Sequence, residues 1–193
     1  MAVYPVNPLN YFADLLNRWP TEADGAGYSL VLIAPWKLPD HASAANWRLS
    51  ASVDGSPGGY DGVRLADWKT QHNQTLNLDD PDMDSIPNLL EYPLSADPSA
   101  PSQASLPTVS MQPFPGPADP PYLMLSVRLN RAADDVLVQP ELSADGTTWG
   151  NEGISLVSAN LDAGTGLTTW QWRSNTSWPA RQRGFFRLRA MLR

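Results

Sequence analysis

Nineteen prolines and thirteen glycines are spread through the 193 residues of this chain, and few long stretches are free of both. Proline removes a backbone donor and glycine weakens a helix interior, so this spacing leaves little room for long helices. Short strands joined by turns fit it better. With 42% apolar residues and eight Trp, the chain can bury a sizeable core. The sequence therefore predicts a folded, mainly β protein.

Composition divides the chain into three zones and a linker. Residues 1–62 hold the β-rich run 28–33 and many turn residues. Residues 63–96 carry helix-forming and acidic segments, and residues 97–121 form a proline-rich linker that reads as semi-extended. Residues 122–193 follow as a predicted small antiparallel β-sandwich.

Alternation of apolar and polar residues predicts strands in the last zone. Leu123, Leu125, Val127 and Leu129 alternate with polar or flexible residues, which is the period of a half-buried strand. Asp145-Gly146 suits a tight hairpin turn. Further strands are predicted around residues 136–142, 154–157, 167–173 and 185–192.

Two short helices are predicted in the middle zone. Val63, Leu65 and Trp68 lie at near-helical spacing, which predicts a helix that reaches Gln71. A second helix should follow the acidic segment and end before Pro93, because proline disfavours helical geometry in the residue before it.

The acidic segment between these helices has the oxygen spacing of a twelve-residue calcium loop. Side-chain oxygens stand at loop positions 1, 3, 5, 9 and 12, and the backbone carbonyl of position 7 completes the set. The predicted ligands are Asp80, Asp82, Asp84, Ile86, Asn88 and Glu91.

A solvated acidic turn is the alternative, in which Asp80 and Asp82 only accept hydrogen bonds from free backbone N–H groups. Carboxylates crowded this closely repel one another, which favours a divalent cation. Ser85 stands where a glycine normally makes the sharp turn, and Pro87 cannot pair with a second loop through a backbone N–H. We therefore expect one weak calcium site and not a paired sensor.

The formal charge of −7 disfavours general binding to nucleic acid or to anionic membranes. No acidic residue follows Asp162, but alternation along the last strand explains most of the local basic character as a solvated face. These basic residues are Arg173, Arg181, Arg183, Arg187, Arg189 and Arg193. No apolar run is long enough to span a bilayer, and no leader peptide is recognisable.

Little in the sequence predicts an enzyme. The chain has no cysteine, no nucleophile elbow and no phosphate-binding glycine loop. His41 and His72 are the two imidazoles, and neither has sequence neighbours that suggest a catalytic triad or a zinc site. The expectation is a noncatalytic protein.

Several segments resemble domains of bacterial surface and secreted proteins. The first zone resembles the final strands of a bacterial lamin-tail domain through Arg18-Trp19-Pro20, residues 23–32, Asn46-Trp47-Arg48 and residues 55–58. Residues 80–92 are similar to the calcium loops of thrombospondin type-3 and dockerin-like repeats. The last zone resembles terminal immunoglobulin-like modules through residues 143–149 and 183–189.

These resemblances imply an extracellular or cell-surface protein in which calcium stiffens a joint between two β-rich parts. A complete lamin-tail domain is an immunoglobulin-like sandwich, and the resemblance implies that this chain begins after its first strands. We therefore expect a half-domain, either as a truncation of a longer reading frame or with its exposed strand edges paired with other domains or chains, including a second copy.

Carbohydrate binding is the alternative function. Trp170 and Trp172 share one face of a predicted strand, and exposed Trp rings stack on sugars. A shared face fits a sandwich core equally well.

Overall fold

The computed structural model of the chain describes residues 19–162, 164–178 and 183–193. Arg181 and the first part of the lamin-tail-like zone, up to Arg18, lie outside the described residues. Strand β1 (Leu30–Leu32) pairs antiparallel with β2 (Trp47–Leu49). This confirms a strand within the run 28–33. Short 3-10 helices surround the pair, at Thr21–Ala23, Pro35–Lys37 and Ala44–Asn46.

Two short helices follow, as the sequence predicts. Helix α1 (Leu65–Gln71) buries Leu65 and Trp68. Helix α2 (Asn88–Leu94) does not end before Pro93, so that expectation was wrong. Tyr92 is 1% exposed and its hydroxyl donates to the Val63 carbonyl, and this anchoring keeps it helical despite the proline that follows.

Six antiparallel strands and a 3-10 helix, Gln103–Ser105, follow in the described part of the chain, so the mainly β prediction is confirmed. The order in the larger sheet is β3-β4-β7-β6, and β5 pairs with β8. The strands are β3 (Thr108–Pro113), β4 (Pro121–Asn130), β5 (Val136–Ser143), β6 (Ile154–Leu161), β7 (Leu167–Ser174) and β8 (Phe185–Leu192). Each strand that alternation predicted in this zone is present.

Strand β3 lies inside residues 97–121, which the sequence assigned to a linker. It pairs with β4 from Thr108 opposite Ser126 to Pro113 opposite Pro121. Its residues before Pro113 are free of proline and can donate to the ladder, whereas the other prolines of the region lie before Thr108 or after Pro113. Therefore only part of the proline-rich region connects two elements.

The core is shared between the two sheets and the middle zone. Leu125, Val127, Ile154 and Trp172 line the larger sheet, and Phe186 and Leu188 of β8 pack against them. The same cluster contains three residues from the acidic loop and its exit, namely Ile86, Leu94 and Ala96. The middle zone is thus part of the core.

A buried ion-pair network joins the first zone to the two-sheet region. Arg48 bonds the Asp134 carboxylate through Nε at 2.5 Å and Nη2 at 3.0 Å, and bonds Asp61 through Nη1 at 2.7 Å. The hydroxyl of Tyr60 donates to Asp134 at 2.7 Å. Side-chain exposure is 10% for Arg48 and 1% for Asp134. A buried pair of this kind holds the first zone in place.

Replacing Arg48 by Ala leaves two buried carboxylates without their cation. We expect the free energy of unfolding to fall by about 3–5 kcal/mol. Urea denaturation followed by Trp fluorescence measures it. The control is Arg128→Ala, which breaks the exposed pair with Asp162 and should cost less than about 1 kcal/mol. Equal losses in the two variants would contradict a structural role for the Arg48 network.

Candidate metal site

The acidic loop is closed at its base by two backbone hydrogen bonds. The Asn88 N–H donates to the Asp79 carbonyl at 2.9 Å, and the Leu89 N–H donates to the Asn77 carbonyl at 2.8 Å. These bonds use two N–H groups of the first turn of α2 that have no partner within the helix. The loop between them is therefore held as a ring, and α2 leaves it in a fixed direction.

Three aspartates bring their carboxylates together inside this ring. One oxygen each from Asp80, Asp82 and Asp84 lies within 4.8 Å of the others. Loop N–H groups orient the side chains: Asp80 accepts from Ser85 at 2.9 Å, and Asp84 accepts from Ile86 at 2.8 Å. This group could hold a metal ion.

The loop makes its sharp turns without glycine. Ser85, at the sixth loop position, where a calcium loop normally has glycine, has φ +73°, and Met83 has φ +60°. This left-handed conformation costs a residue with a Cβ about 1 kcal/mol. The backbone therefore makes left-handed turns at two residues that carry a Cβ.

Glu91 lies on α2 at the twelfth position of the loop, fully buried at 0% exposure. Neither carboxyl oxygen has a hydrogen-bond partner in the described part of the chain. Burial first, and then the negative charges of Asp82, Asp84 and Asp80, raise the pKa of Glu91 to about 7. Among the described residues, the carboxylates that lie within 4.8 Å of one another are those of the three aspartates, and Glu91 is not one of them.

The side chains of Asn88 and Ile86, two further predicted ligand residues, are both buried. The Asn88 side chain is also 0% exposed, and its Nδ2 donates to the Leu76 carbonyl at 2.8 Å. Its Oδ1 and the Oδ2 of Asp82 are buried without partners among the described residues. The Ile86 side chain is 3% exposed and packs in the core. The loop thus has several buried oxygens without a hydrogen-bond partner among the described residues, whereas Ile86 is anchored in the core.

Such an arrangement suits a hard cation. Four carboxyl groups within one loop repel each other and raise the pKa values of Asp82 and Glu91, through burial first and then through their acidic neighbours. A divalent cation would supply the missing positive charge and the missing partners for the free oxygens. Protonation of Glu91 is the other way to relieve the repulsion.

Sequence reasoning missed one partner of the loop. The Ser102 N–H donates to Asp84 Oδ2 at 2.9 Å, across eighteen residues of sequence. Nothing in the sequence around Ser102 indicates this contact, because any residue except proline offers a backbone N–H.

The structure places Trp170 and Trp172 together, but on the core side of β7. Their rings stack at 5.7 Å with an interplanar angle of 8°. Trp172 is 4% exposed and belongs to the core cluster, against which Trp170 packs. Both line a cleft of about 460 Å³, and Trp19 and Trp47 also line it. The exposed platform that carbohydrate stacking requires is not formed at Trp172.

Comparison of the chain with protein-family models, with curated proteins and with solved structures gives no match. The resemblances to lamin-tail, thrombospondin type-3 or dockerin-like and immunoglobulin-like domains therefore stay predictions. Among the helices of the described residues, none is long and apolar enough to cross a membrane.

The raised pKa of Glu91 predicts how the ion-free protein responds to pH. The folded chain binds the Glu91 proton more tightly than the unfolded chain, whose pKa stays near 4.5. The stabilising contribution is complete below that value and is lost as pH rises through about 7. In a buffer that contains a metal chelator, the urea concentration at the midpoint of unfolding should decrease as the pH is raised from about 5 to about 8.

Glu91→Gln is the matched variant, because it keeps the shape of the side chain and cannot ionise. Its urea midpoint in the same chelator buffer should fall much less over this range. A wild-type midpoint that does not change with pH, or an equal fall in the variant, would show that Glu91 is not the group responsible.

Proposed function

We propose that this protein is a noncatalytic structural module in which one calcium ion, held by the acidic loop, fixes the middle zone against the two sheets. The observation that carries the proposal is Glu91, a fully buried carboxyl group whose two oxygens have no partner among the described residues, at the end of a loop in which three aspartates lie together. The ligands are the residues that the sequence predicted: Asp80, Asp82, Asp84, Ile86 through its carbonyl, Asn88 and Glu91.

The alternative of a simple acidic turn accounts for less. In such a turn the aspartates accept backbone N–H groups and their remaining oxygens face water. Here the Oδ2 of Asp82, the Oδ1 of Asn88 and both oxygens of Glu91 are buried and unpartnered within the described residues. Each buried polar atom without a partner costs about 1–3 kcal/mol. A cation would satisfy all of them at once.

Calcium is favoured over magnesium by the number and type of these oxygens. Calcium takes six to eight oxygen ligands in a flexible arrangement, and a bidentate carboxylate is a common one among them. Both oxygens of Glu91 are free to bind in this way. Magnesium demands near-ideal octahedral geometry and usually keeps several waters, which a loop this rich in protein oxygens does not favour.

The mechanical effect follows from where the loop is attached. Ile86, at the seventh loop position, is buried with Leu125, Val127 and Trp172 of the larger sheet. An ion that binds only the folded loop stabilises everything that must be folded to form it. Calcium would therefore strengthen the packing of α2 and the sheets, and not only the loop itself.

The finer description is part of the proposal. The two sheets are proposed to be an immunoglobulin-like β-sandwich, and the first zone part of a lamin-tail-like domain of a surface or secreted protein. An extracellular location suits a weak site, because modules there need dissociation constants of only about 10⁻⁴ to 10⁻³ M.

Other domains or other chains of such a protein are the proposed partners. All six residues of β3 are exposed, and no strand pairs with its outer edge in the described part of the chain. An edge of this kind can pair with a second copy. Size-exclusion chromatography with light scattering tests this, and a monomer at all concentrations would exclude it.

Isothermal titration with calcium tests the site directly. Wild-type protein should bind one ion with a dissociation constant of about 10⁻⁴ to 10⁻³ M. Glu91→Gln and Asp82→Asn should each weaken binding about tenfold or more, because both remove a charged ligand. At a calcium concentration a hundredfold above the dissociation constant, the free energy of unfolding should rise by about 2.7 kcal/mol.

Asp79→Asn is the matched control, since it removes one negative charge beside the loop at a position outside the ligand spacing. It should change calcium affinity by less than about threefold. Absence of calcium-dependent heat and of any calcium-dependent melting shift in the wild type would refute the proposal. Equal weakening of calcium binding in Asp79→Asn and Glu91→Gln would show that affinity depends on the overall negative charge near the loop and not on ligation by Glu91.

A further inference from the structure

The contact between Asp84 and Ser102 links the loop to the chain segment that leads into β3. Asp84 uses its two carboxylate oxygens in different directions: Oδ1 accepts the Ile86 N–H at 2.8 Å inside the loop, and Oδ2 accepts the Ser102 N–H at 2.9 Å outside it. Ser102 precedes the 3-10 helix Gln103–Ser105, after which the chain enters β3.

The α2–β3 segment (residues 97–107) has few other attachments to the rest of the protein. Its hydrogen bonds are mostly local: the Asp97 N–H donates to Ser102 Oγ at 3.2 Å, and the Ser99 N–H donates to Asp97 at 3.0 Å. Pro98 is buried, whereas Ser99, Ala100 and Pro101 are exposed. Among the described residues, the hydrogen bond from the Ser102 N–H to Asp84 is therefore the one that connects this segment to the acidic loop.

We propose that occupancy of the metal site controls the order of the α2–β3 segment through Asp84, whose carboxylate both faces the ion site and accepts the Ser102 N–H. This inference rests on the proposed function. An ion that ligates Asp84 fixes the rotamer of its side chain, so the acceptor for Ser102 stays in place. Without the ion, Asp84 is repelled by its acidic neighbours and is free to turn away. The segment is then released at its centre, next to the start of edge strand β3.

Amide hydrogen exchange measured by mass spectrometry tests this inference, because it reads the backbone of the segment directly. Calcium at saturation should slow exchange of the amides between residues 99 and 106 about fivefold, which corresponds to fixing one hydrogen bond of ordinary net strength. The same sample is titrated by calorimetry, so that binding is known independently.

Two variants at Ser102 separate the effect of its backbone N–H from the effect of its side chain. Ser102→Pro has no N–H to donate, and the calcium-dependent slowing at the remaining segment amides should disappear while calcium still binds. Ser102→Ala keeps the N–H and should retain the slowing. Circular dichroism and the urea midpoint confirm that both variants are folded.

The outcomes distinguish the two proposals. Calcium heat without slowing of the segment overturns the inference about Asp84 and Ser102 and leaves the metal site standing. Absence of calcium heat overturns both. Slowing of equal size in Ser102→Pro and the wild type shows that the ion acts on the segment by another route, which also contradicts the inference.

Discussion

The packing of Ile86 and helix α2 against the larger sheet is the constraint on which the rest of this structure depends. Ile86, Leu94 and Ala96 complete a core that β4, β6 and β7 form only in part. Because Ile86 belongs to the acidic loop, burying it also holds Asp84 and Asp82 in place. Glu91, which lies on α2 between Ile86 and Leu94 in sequence, is fully buried as well. Hydrophobic burial thus assembles a cluster of acids that electrostatics alone opposes.

The first zone is attached by a different kind of force. Its two strands are only three residues long, and a two-stranded sheet of this size is marginal in water by itself. Arg48, paired with Asp61 and Asp134, and Arg131, which donates to the carbonyls of Ser50 and Ala51, connect it to the two-sheet region. Such buried charges require close geometry from both sides, so the first zone is held in one orientation.

Much of the fold could be predicted from local patterns. Period-two alternation located β4 and the strands after it, because one face of each strand must meet the core. Tyr92 shows the limit of such rules, since it is buried within α2 and the helix continues through Pro93 to Leu94. Strand β3 was missed because prolines on both sides hid a short stretch that can pair.

By itself, the sequence determined the mainly β class, the two helices, the strands from β4 onward and the spacing of the loop oxygens, because these depend on residues near one another in the chain. Only the tertiary structure decided which oxygens are buried and unpartnered, that Trp172 faces the core, and that Ser102 reaches Asp84. Burial and long-range hydrogen bonds arise from packing between segments that are distant in sequence, and local sequence patterns do not indicate which of these segments come into contact.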